Sequence, residues 1–348
     1  MFDENIFISV TFRKYSQPYI QTIMKVCFID KKTNLSLGSY RIWIHDLNFY
    51  LNEIGIYSTI NPKNVCEYDI VIYSKYSNPC FHHNKKIGAI NPSRDNYKLL
   101  KKVDFIIVGS VEEKQSMIKY NRNCFIFPLI ENMYLNKIPK NHLNKREIVI
   151  GYHGNQCHLN HMSLGLKNAL ERLSQEIKIK FLFTASSNKE WVQGRPNIPT
   201  EFRKWNINTI HDTLEEFDIG IVPNISNIEG KLNNNIKLGL YSSDIQIRFK
   251  NKSNIGRALV LFQLGIPVVA DITPSNMHIL ADPDNGYAVL GEEGWYCALK
   301  ELCCEKRRNF VSQNAYDEYK RLYNPTTWAK KLISSIENIT REAGCDEA

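Results

Sequence analysis

The stretch from Trp205 to Ala270 constrains the fold more than any other part of this 348-residue sequence. A short apolar run, Ile219, Ile221 and Val222, stops at Pro223, which has no N–H to extend a ladder. Ser253-Asn254 is a helix start signal, and Leu259, Leu261, Phe262 and Leu264 supply the apolar face that follows. Gly265 reads as the stop, and Pro267-Val268-Val269-Ala270 opens a second buried strand. Strand, loop, helix, glycine and strand make a right-handed βαβ unit of a parallel sheet. Ligands of such sheets lie beyond the carboxyl ends of the strands. Pro223 and Lys252-Ser253-Asn254 both fall at that edge.

The same alternation runs through the rest of the chain. Strands are predicted at 24–29, 56–60, 69–73, 86–90, 104–108 and 124–127, with helices at 40–54 and 110–120. Tyr40, Trp43, Leu47, Leu51 and Ile54 share one face of the first helix, and Gly55 ends it. A polar stretch from Pro128 to Glu147 reads as an interdomain linker. A second alternating block starts at 148–152 and continues with a helix at 159–173, a strand at 179–184 and a helix near Leu214. After Asn285-Gly286 the pattern is helical from Trp295 to Tyr323 and again from Thr327 to about residue 339. The first 20 residues fit this order less well and read as an extra hairpin or lead-in strand. The connection 224–251 is long and rich in Asn, Ser and Lys. An open α/β architecture with two parallel sheets is expected.

Hydrophobic content of 43% and charged content of 23% are those of a globular protein, and the length suits two domains. No apolar run approaches a membrane span, and the first 20 residues lack a secretory signal pattern, so a cytoplasmic location is expected. Nine scattered cysteines with no CxxC pair argue against a disulfide framework and are expected to be mostly buried. Residues 1–140 hold 19 Lys and Arg against 12 Asp and Glu, so nearly all of the net charge of +8 sits in the first half. That half is expected to face something anionic, such as a phospholipid surface, a lipid-pyrophosphate carrier or an acidic glycan. Lys85, Lys86, Arg94, Lys98, Lys101 and Lys102 are its candidate contacts. The plain alternative is a solubilising surface.

Several blocks together resemble the GT-B glycosyltransferases, specifically the family-4-like retaining transferases. These are IVIGYHGN at 148–155, Trp205 followed by EEFDIGIVPN, Lys252 followed by GIPVVA at 265–270, Asn285-Gly286 with Trp295, and the closing YNPTTWAKKLISSI. The resemblance spans roughly 148–336 and is only topological in the first half. It implies two Rossmann-like, doubly wound parallel-sheet domains. The expected divisions are an acceptor domain at 1–138, a nucleotide-sugar donor domain at 139–325 and a C-terminal helix at 326–348 crossing back to the first domain. One departure stands out. Many members carry two glutamates eight apart in the donor domain, and those positions here are Lys252 and Val260. The carboxylate for the donor ribose is missing, which leaves donor identity and anomeric outcome open.

A sugar nucleotide presents two phosphates, and its leaving group gains negative charge as the glycosidic bond breaks. Without a metal, the protein supplies positive charge and N–H donors there. A helix start at Ser253-Asn254 offers backbone N–H groups and the positive end of the dipole. Lys252 adds a full charge, with Arg248, Lys250 and Arg257 close in sequence. Gly151 and Gly154 flank Tyr152-His153, and glycine permits close backbone approach to a ligand. Thr184 ends a strand where the fold meets the nucleobase, followed by Ala185-Ser186-Ser187. The expected donor-binding set is Gly154, Asn155, Thr184, Ser186, Pro223, Arg248, Lys252, Ser253 and Asn254. Lys252 is the expected catalytic cation, with Arg94 and Asp95 as candidates for contact with the acceptor or the transferred sugar. For each, the bland alternative is a capped helix, a tight turn or a solvated surface group. His153, Cys157, His158 and His161 match no closed zinc pattern. No metal and no cofactor beyond the nucleotide-sugar co-substrate is expected.

The resulting expectation is a metal-independent, retaining glycosyltransferase acting on a glycan or lipid-linked acceptor in surface polysaccharide synthesis. Peripheral contact with an anionic membrane surface is part of it. A catalytically silent nucleotide-sugar-binding or scaffold protein of the same fold is the rival favoured by the missing glutamates. A nucleic-acid-directed protein is a weaker rival, suggested only by the basic first half. Turnover of a nucleotide sugar separates the first two, and a steep salt dependence of duplex DNA binding would mark the third.

Overall fold

The computed structural model describes residues 24–82, 84–93, 97–155, 159, 164–186, 195–224 and 254–339. The first sheet is built from β1 (Lys25–Ile29), β2 (Tyr57–Ile60), β3 (Ile70–Ser74), β4 (Lys86–Ile90), β5 (Phe105–Val108) and β6 (Cys124–Ile126). Its order is β2-β1-β3-β4-β5-β6, with every pair parallel. Alternate residues serve opposite faces. Val26, Phe28, Ile70 and Ile72 pack in one core, and Cys27, Val71, Tyr73 and Ile106 in the other. The helix after β1 runs as α1 (Gly38–Tyr40), a π-helical turn (Arg41–Asp46) and α2 (Leu47–Glu53). The π turn was not foreseen from the sequence; such turns insert one residue and re-aim side chains, often near functional sites. Gly55 ends α2 at φ 84°, a backbone region that favours glycine. α3 (Tyr97–Leu100) and α4 (Val111–Met117) flank β5.

The second sheet holds β7 (Ile148–His153), β8 (Ile179–Ala185), β9 (Thr200–Lys204), β10 (Ile219–Val222), β11 (Val268–Asp271) and β12 (Tyr287–Val289). Its order is β12-β11-β10-β7-β8-β9, again all parallel. Its helices are α5 (Leu164–Ser174), α6 (Ile210–Glu215), α7 (Gly256–Gln263), α8 (Pro274–Leu280), α9 (Gly291–Leu302) and α10 (Glu305–Leu322). Two strand glycines are there for packing. A Cβ on Gly151 would lie 1.9 Å from the Phe217 ring, and one on Gly220 would lie 2.4 Å from Leu261. Gly151 is therefore a mid-strand packing residue, which corrects its reading as a glycine for ligand approach.

The closing helix α11 (Pro325–Glu337) leaves the second sheet's neighbourhood. Ala329, Leu332, Ile333 and Ile336 join the core that β1, β3 and α2 build. The Lys86 ammonium donates to the carbonyls of Ile336 and Glu337 at 2.7 and 2.8 Å, satisfying the end of the helix. Lys85 donates to the carbonyls of Cys66 and Tyr68. Lys85 precedes β4 and Lys86 opens it, at the amino edge of the sheet. This corrects their assignment as contacts for an anionic partner: they are bound to backbone carbonyls.

Three elements escaped the sequence reading. β9 (TEFRK) has no apolar run because it is a half-buried edge strand. Its charges pair among Lys180, Glu201, Arg203 and Glu216, and charged edges of this kind resist further strand addition. α8 and β12 are short, and the helical stretch 295–323 breaks at Cys303-Cys304 into α9 and α10. The stretch read as a polar linker is packed: Ile130, Tyr134 and His142 are buried. The cysteines also differ from expectation. Of the seven described, only Cys27 and Cys124 are buried, and all seven are free thiols. No described helix is long and apolar enough to cross a membrane.

Candidate functional site

Loops leaving the carboxyl ends of the two sheets meet. Arg41, in the helix after β1, lays its guanidinium 5.3 Å from the ring centre of Trp205, which follows β9. Glu112, in the first turn of α4, accepts hydrogen bonds from the Ser275 N–H (3.1 Å) and hydroxyl at the start of α8. Leu129, beyond β6, lies so close to Gly256 that a Cβ there would be 2.9 Å away. The carboxyl edges of the two sheets thus face each other. Arg41 also ties the segment between the sheets, its Nη2 donating to Glu131 at 2.8 Å. Burial lifts the Glu131 carboxyl above the ordinary range even with that guanidinium beside it.

Strand order marks a crevice in each sheet. In the first, the chain runs from β1 out to β2 and returns past β1 to β3, so the loops after β1 and β3 part in opposite directions. In the second, the same parting occurs between β7 and β10. Crevices of this kind are where open α/β sheets hold ligands.

Arg257, in the first turn of α7, spans the crevice of the second sheet. Its Nη1 donates to the Tyr152 hydroxyl of β7 at 3.2 Å. Its Nη2 donates to the Pro223 carbonyl at 3.3 Å and to Asn224 Oδ1 at 2.5 Å, just beyond β10. All three partners are neutral. Asn224 is 3% exposed, and its Nδ2 donor has no hydrogen-bond partner. Its N–H is held by Asp271 Oδ2 at 2.7 Å, and Asp271 Oδ1 accepts from the Trp295 indole at 3.2 Å. Below the crevice, His153 Nε2 donates to the Arg257 carbonyl at 3.0 Å. Burial pushes the His153 imidazole down to about 4, so it is neutral at pH 7. Among the described residues, the crevice therefore presents a guanidinium with no carboxylate partner and a spare amide donor, which together suit an anion with several acceptor oxygens.

Solved structures share this architecture. The chain is similar to sucrose-phosphate synthase from Thermosynechococcus elongatus, with a TM-score of 0.60, 10% identity, and 91% of this chain and 99% of that one covered. It is similar to S. aureus TarM (TM-score 0.59, 12% identity, 84% of this chain) and spans 58% of TarM's length. It is similar to Anabaena HepE (TM-score 0.56, 12% identity, 90% of this chain and 99% of that one). No protein-family profile and no curated protein matches the sequence.

The chain has the GT-B fold. Within this GT-B frame, the described members of the expected donor set gather around the β7/β10 crevice and the neighbouring end of β8. Gly154 has φ 132°, and a Cβ there would lie 3.0 Å from Arg257 Cδ. Its N–H donates to the Thr184 carbonyl at 3.1 Å. Asn155 accepts at its carbonyl from the Tyr152 hydroxyl at 2.8 Å. Thr184 is 1% exposed, so its side chain is a packing group, and Ser186 after it is exposed. Pro223 holds Arg257 through its carbonyl. Asn254 Oδ1 accepts from the Gly256 N–H at 3.1 Å at the start of α7. Arg94, Asp95, Arg248, Lys252 and Ser253 lie outside the described residues, as do Cys157, His158 and His161.

The sequence reading noted Arg257 only as a basic neighbour and Asn224 and Trp295 only within the blocks that carry the resemblance, and it missed Asp271. One signal for Arg257 was available. A cation in the first turn opposes the helix dipole, so its presence there asks for another reason. Among the described residues, carboxylate groups do not gather at the crevice. Asp282-Pro283-Asp284, an Asp-x-Asp pair, is spent on a turn: Asp282 accepts from the Asp284 N–H at 3.0 Å, and Asp284 pairs with Arg307 at 2.9 Å. Among the described residues, His211, Asp212 and Glu215 on α6 could share a cation, but both carboxylates are exposed.

Proposed function

We propose that the protein transfers a sugar from a nucleotide-sugar donor, bound at the β7/β10 crevice, to a glycan or lipid-linked acceptor presented by the first sheet. The observation that carries this reading is Arg257, a guanidinium whose partners among the described residues are all neutral, at the crevice of a GT-B second domain. As the glycosidic bond breaks, negative charge builds on the leaving phosphate, and a fixed cation lowers that barrier without reorganising. The basic segment 248–252 adjoins the same helix in sequence and would add to it. Because these groups supply the charge themselves, the reaction is expected to need no divalent metal. Retention of anomeric configuration and a role in surface polysaccharide synthesis are the finer expectations from the resemblance. HepE was crystallised with UDP and glucose and with UDP-glucose, and TarM with UDP, so uridine nucleotides are the first probes.

A thermal-shift titration of the full chain with UDP and UDP-glucose tests binding. A ligand at 100 times its dissociation constant should add about 2.7 kcal/mol of stability. Turnover assays with an acceptor mixture, with and without EDTA, test activity and metal independence. No stabilisation by any common nucleotide sugar would remove the reading. Loss of turnover with EDTA and its return with manganese would remove metal independence alone. The silent-binder alternative draws support from Val260, which is buried in the core where many relatives carry the ribose carboxylate. Binding without turnover would favour it.

A further inference from the structure

We propose that the crevice of the first sheet is a second anion site, formed by Lys32, Lys75 and Tyr76, and that it takes a phosphate or carboxylate carried by the acceptor. This rests on the transferase reading above. Lys32 lies in the loop after β1, and Lys75 and Tyr76 directly follow β3. These strands are neighbours, Ile29 beside Tyr73, and their loops part at this point. The Lys32 and Lys75 ammonium groups sit 4.4 and 4.9 Å from the centre of the Tyr76 ring. Two cations gathered on one ring repel each other, and among the described residues neither has a carboxylate within 4.0 Å.

Both loops are built to hold this arrangement. Asn61 grips Asp30 by its N–H and its carbonyl at 2.9 and 2.8 Å, and Asp30 Oδ1 accepts from the Lys32 N–H at 2.9 Å. Asp30 is 2% exposed and pairs with neither ammonium. Ser77 Oγ accepts from the Lys31 N–H at 3.2 Å, and Ser74 Oγ from the Tyr76 N–H at 3.1 Å. Ser39, at the start of the helix after β1, is hydrogen-bonded to the Tyr76 hydroxyl at 3.1 Å. The Tyr76 phenol reports the local field. Burial works to raise it, yet the Ser39 hydroxyl and the two ammonium groups bring it below its ordinary value. A crevice that favours negative charge on a partly buried phenol favours it on a bound oxyanion. Lysine ammonium groups bind phosphate as point charges, which suits a pendant group held in more than one orientation. The molecule then has one basic crevice per sheet, with Arg257 facing the donor and Lys32 and Lys75 facing the acceptor.

The test uses the full chain with UDP in saturating amount, so that the donor crevice is occupied. sn-Glycerol 3-phosphate is titrated, with glycerol as the neutral control. A second arm uses phosphatidylcholine vesicles with and without phosphatidic acid, separating a soluble phosphate from a lipid-borne one. Binding of the phosphate in either arm should weaken by about tenfold or more in Lys32→Gln/Lys75→Gln, with UDP affinity unchanged. Lys320→Gln/Lys331→Gln, on α10 and α11, should bind as the parent does. Equal phosphate binding by the parent and the Lys32/Lys75 variant, or none by the parent at low salt, would overturn the proposal. The titrations are repeated without UDP. Failure of nucleotide binding would then count against the transferase reading and leave the first-sheet site to be judged on its own.

Discussion

At Arg257 a single side chain joins three segments that are far apart in the sequence. The hydrogen bond to Tyr152 spans 105 positions, and those to Pro223 and Asn224 span 34 and 33. If its charge serves a pyrophosphate, Arg257→Ala should weaken UDP binding by at least about tenfold while uridine binding is unchanged. Turnover should fall further, by roughly 3 kcal/mol in the transition state, as for other charge-stabilising donors. Arg257→Lys should recover part of the UDP affinity, since it restores the charge but not the planar fork. Equal losses for UDP and uridine, measured by calorimetry, would make Arg257 a structural strut instead. Gly151 carries the opposite lesson. It sits two residues from a candidate ligand loop, yet its lack of a side chain is explained by the Phe217 ring packed against it.

Among the elements, α11 has the clearest structural role, because it leaves the second sheet and completes the core of the first. Ile336 is fully buried there. Ile336→Ala should cost about 2–5 kcal/mol, the usual range for emptying such a site. Hydrogen exchange should show the α11 amides losing protection ahead of those in β7 and β10. Uniform loss of protection would mean that the helix is no separate lock. Helix α7 shows how much of an element is local information. Its apolar spacing and Gly265 stop were readable, because periodicity and a φ of 65° at the stop are properties of the segment itself. Strand β9 shows the limit. Its charged residues fit an edge position, and nothing within five residues states that they will be at an edge.

At the scale of the whole molecule, acid should loosen the second domain. His142 and His153 are both buried, and burial is the main cause that brings each from 6.5 to about 4. The unfolded chain then binds more protons between those values. This contribution to stability is present above about 6.5 and is lost as the pH falls toward 4, at roughly 3 kcal/mol for each histidine. Glu131 and Asp46, which burial lifts, act in the opposite sense, so the informative quantity is a difference between variants. His142→Gln, whose amide can still donate to the Gly265 carbonyl, should show a shallower fall in melting temperature from pH 7 to 4.5 than the parent. Parallel curves would argue against the histidine. The sequence by itself determined the alternation of strands and helices and hence two parallel sheets. Strands buried on both faces must be apolar at successive positions, and glycine and proline mark their ends by local backbone geometry. Only the tertiary structure decided which cations are free to meet an anion. Lys86 is bound to carbonyls 250 and 251 positions away, while Lys32 and Lys75 stand at a crevice without a carboxylate partner among the described residues. All three are lysines near strand ends in the sequence. What separates them is the strand order and the sheet edge they occupy, which depend on long-range pairing that no local window of residues contains.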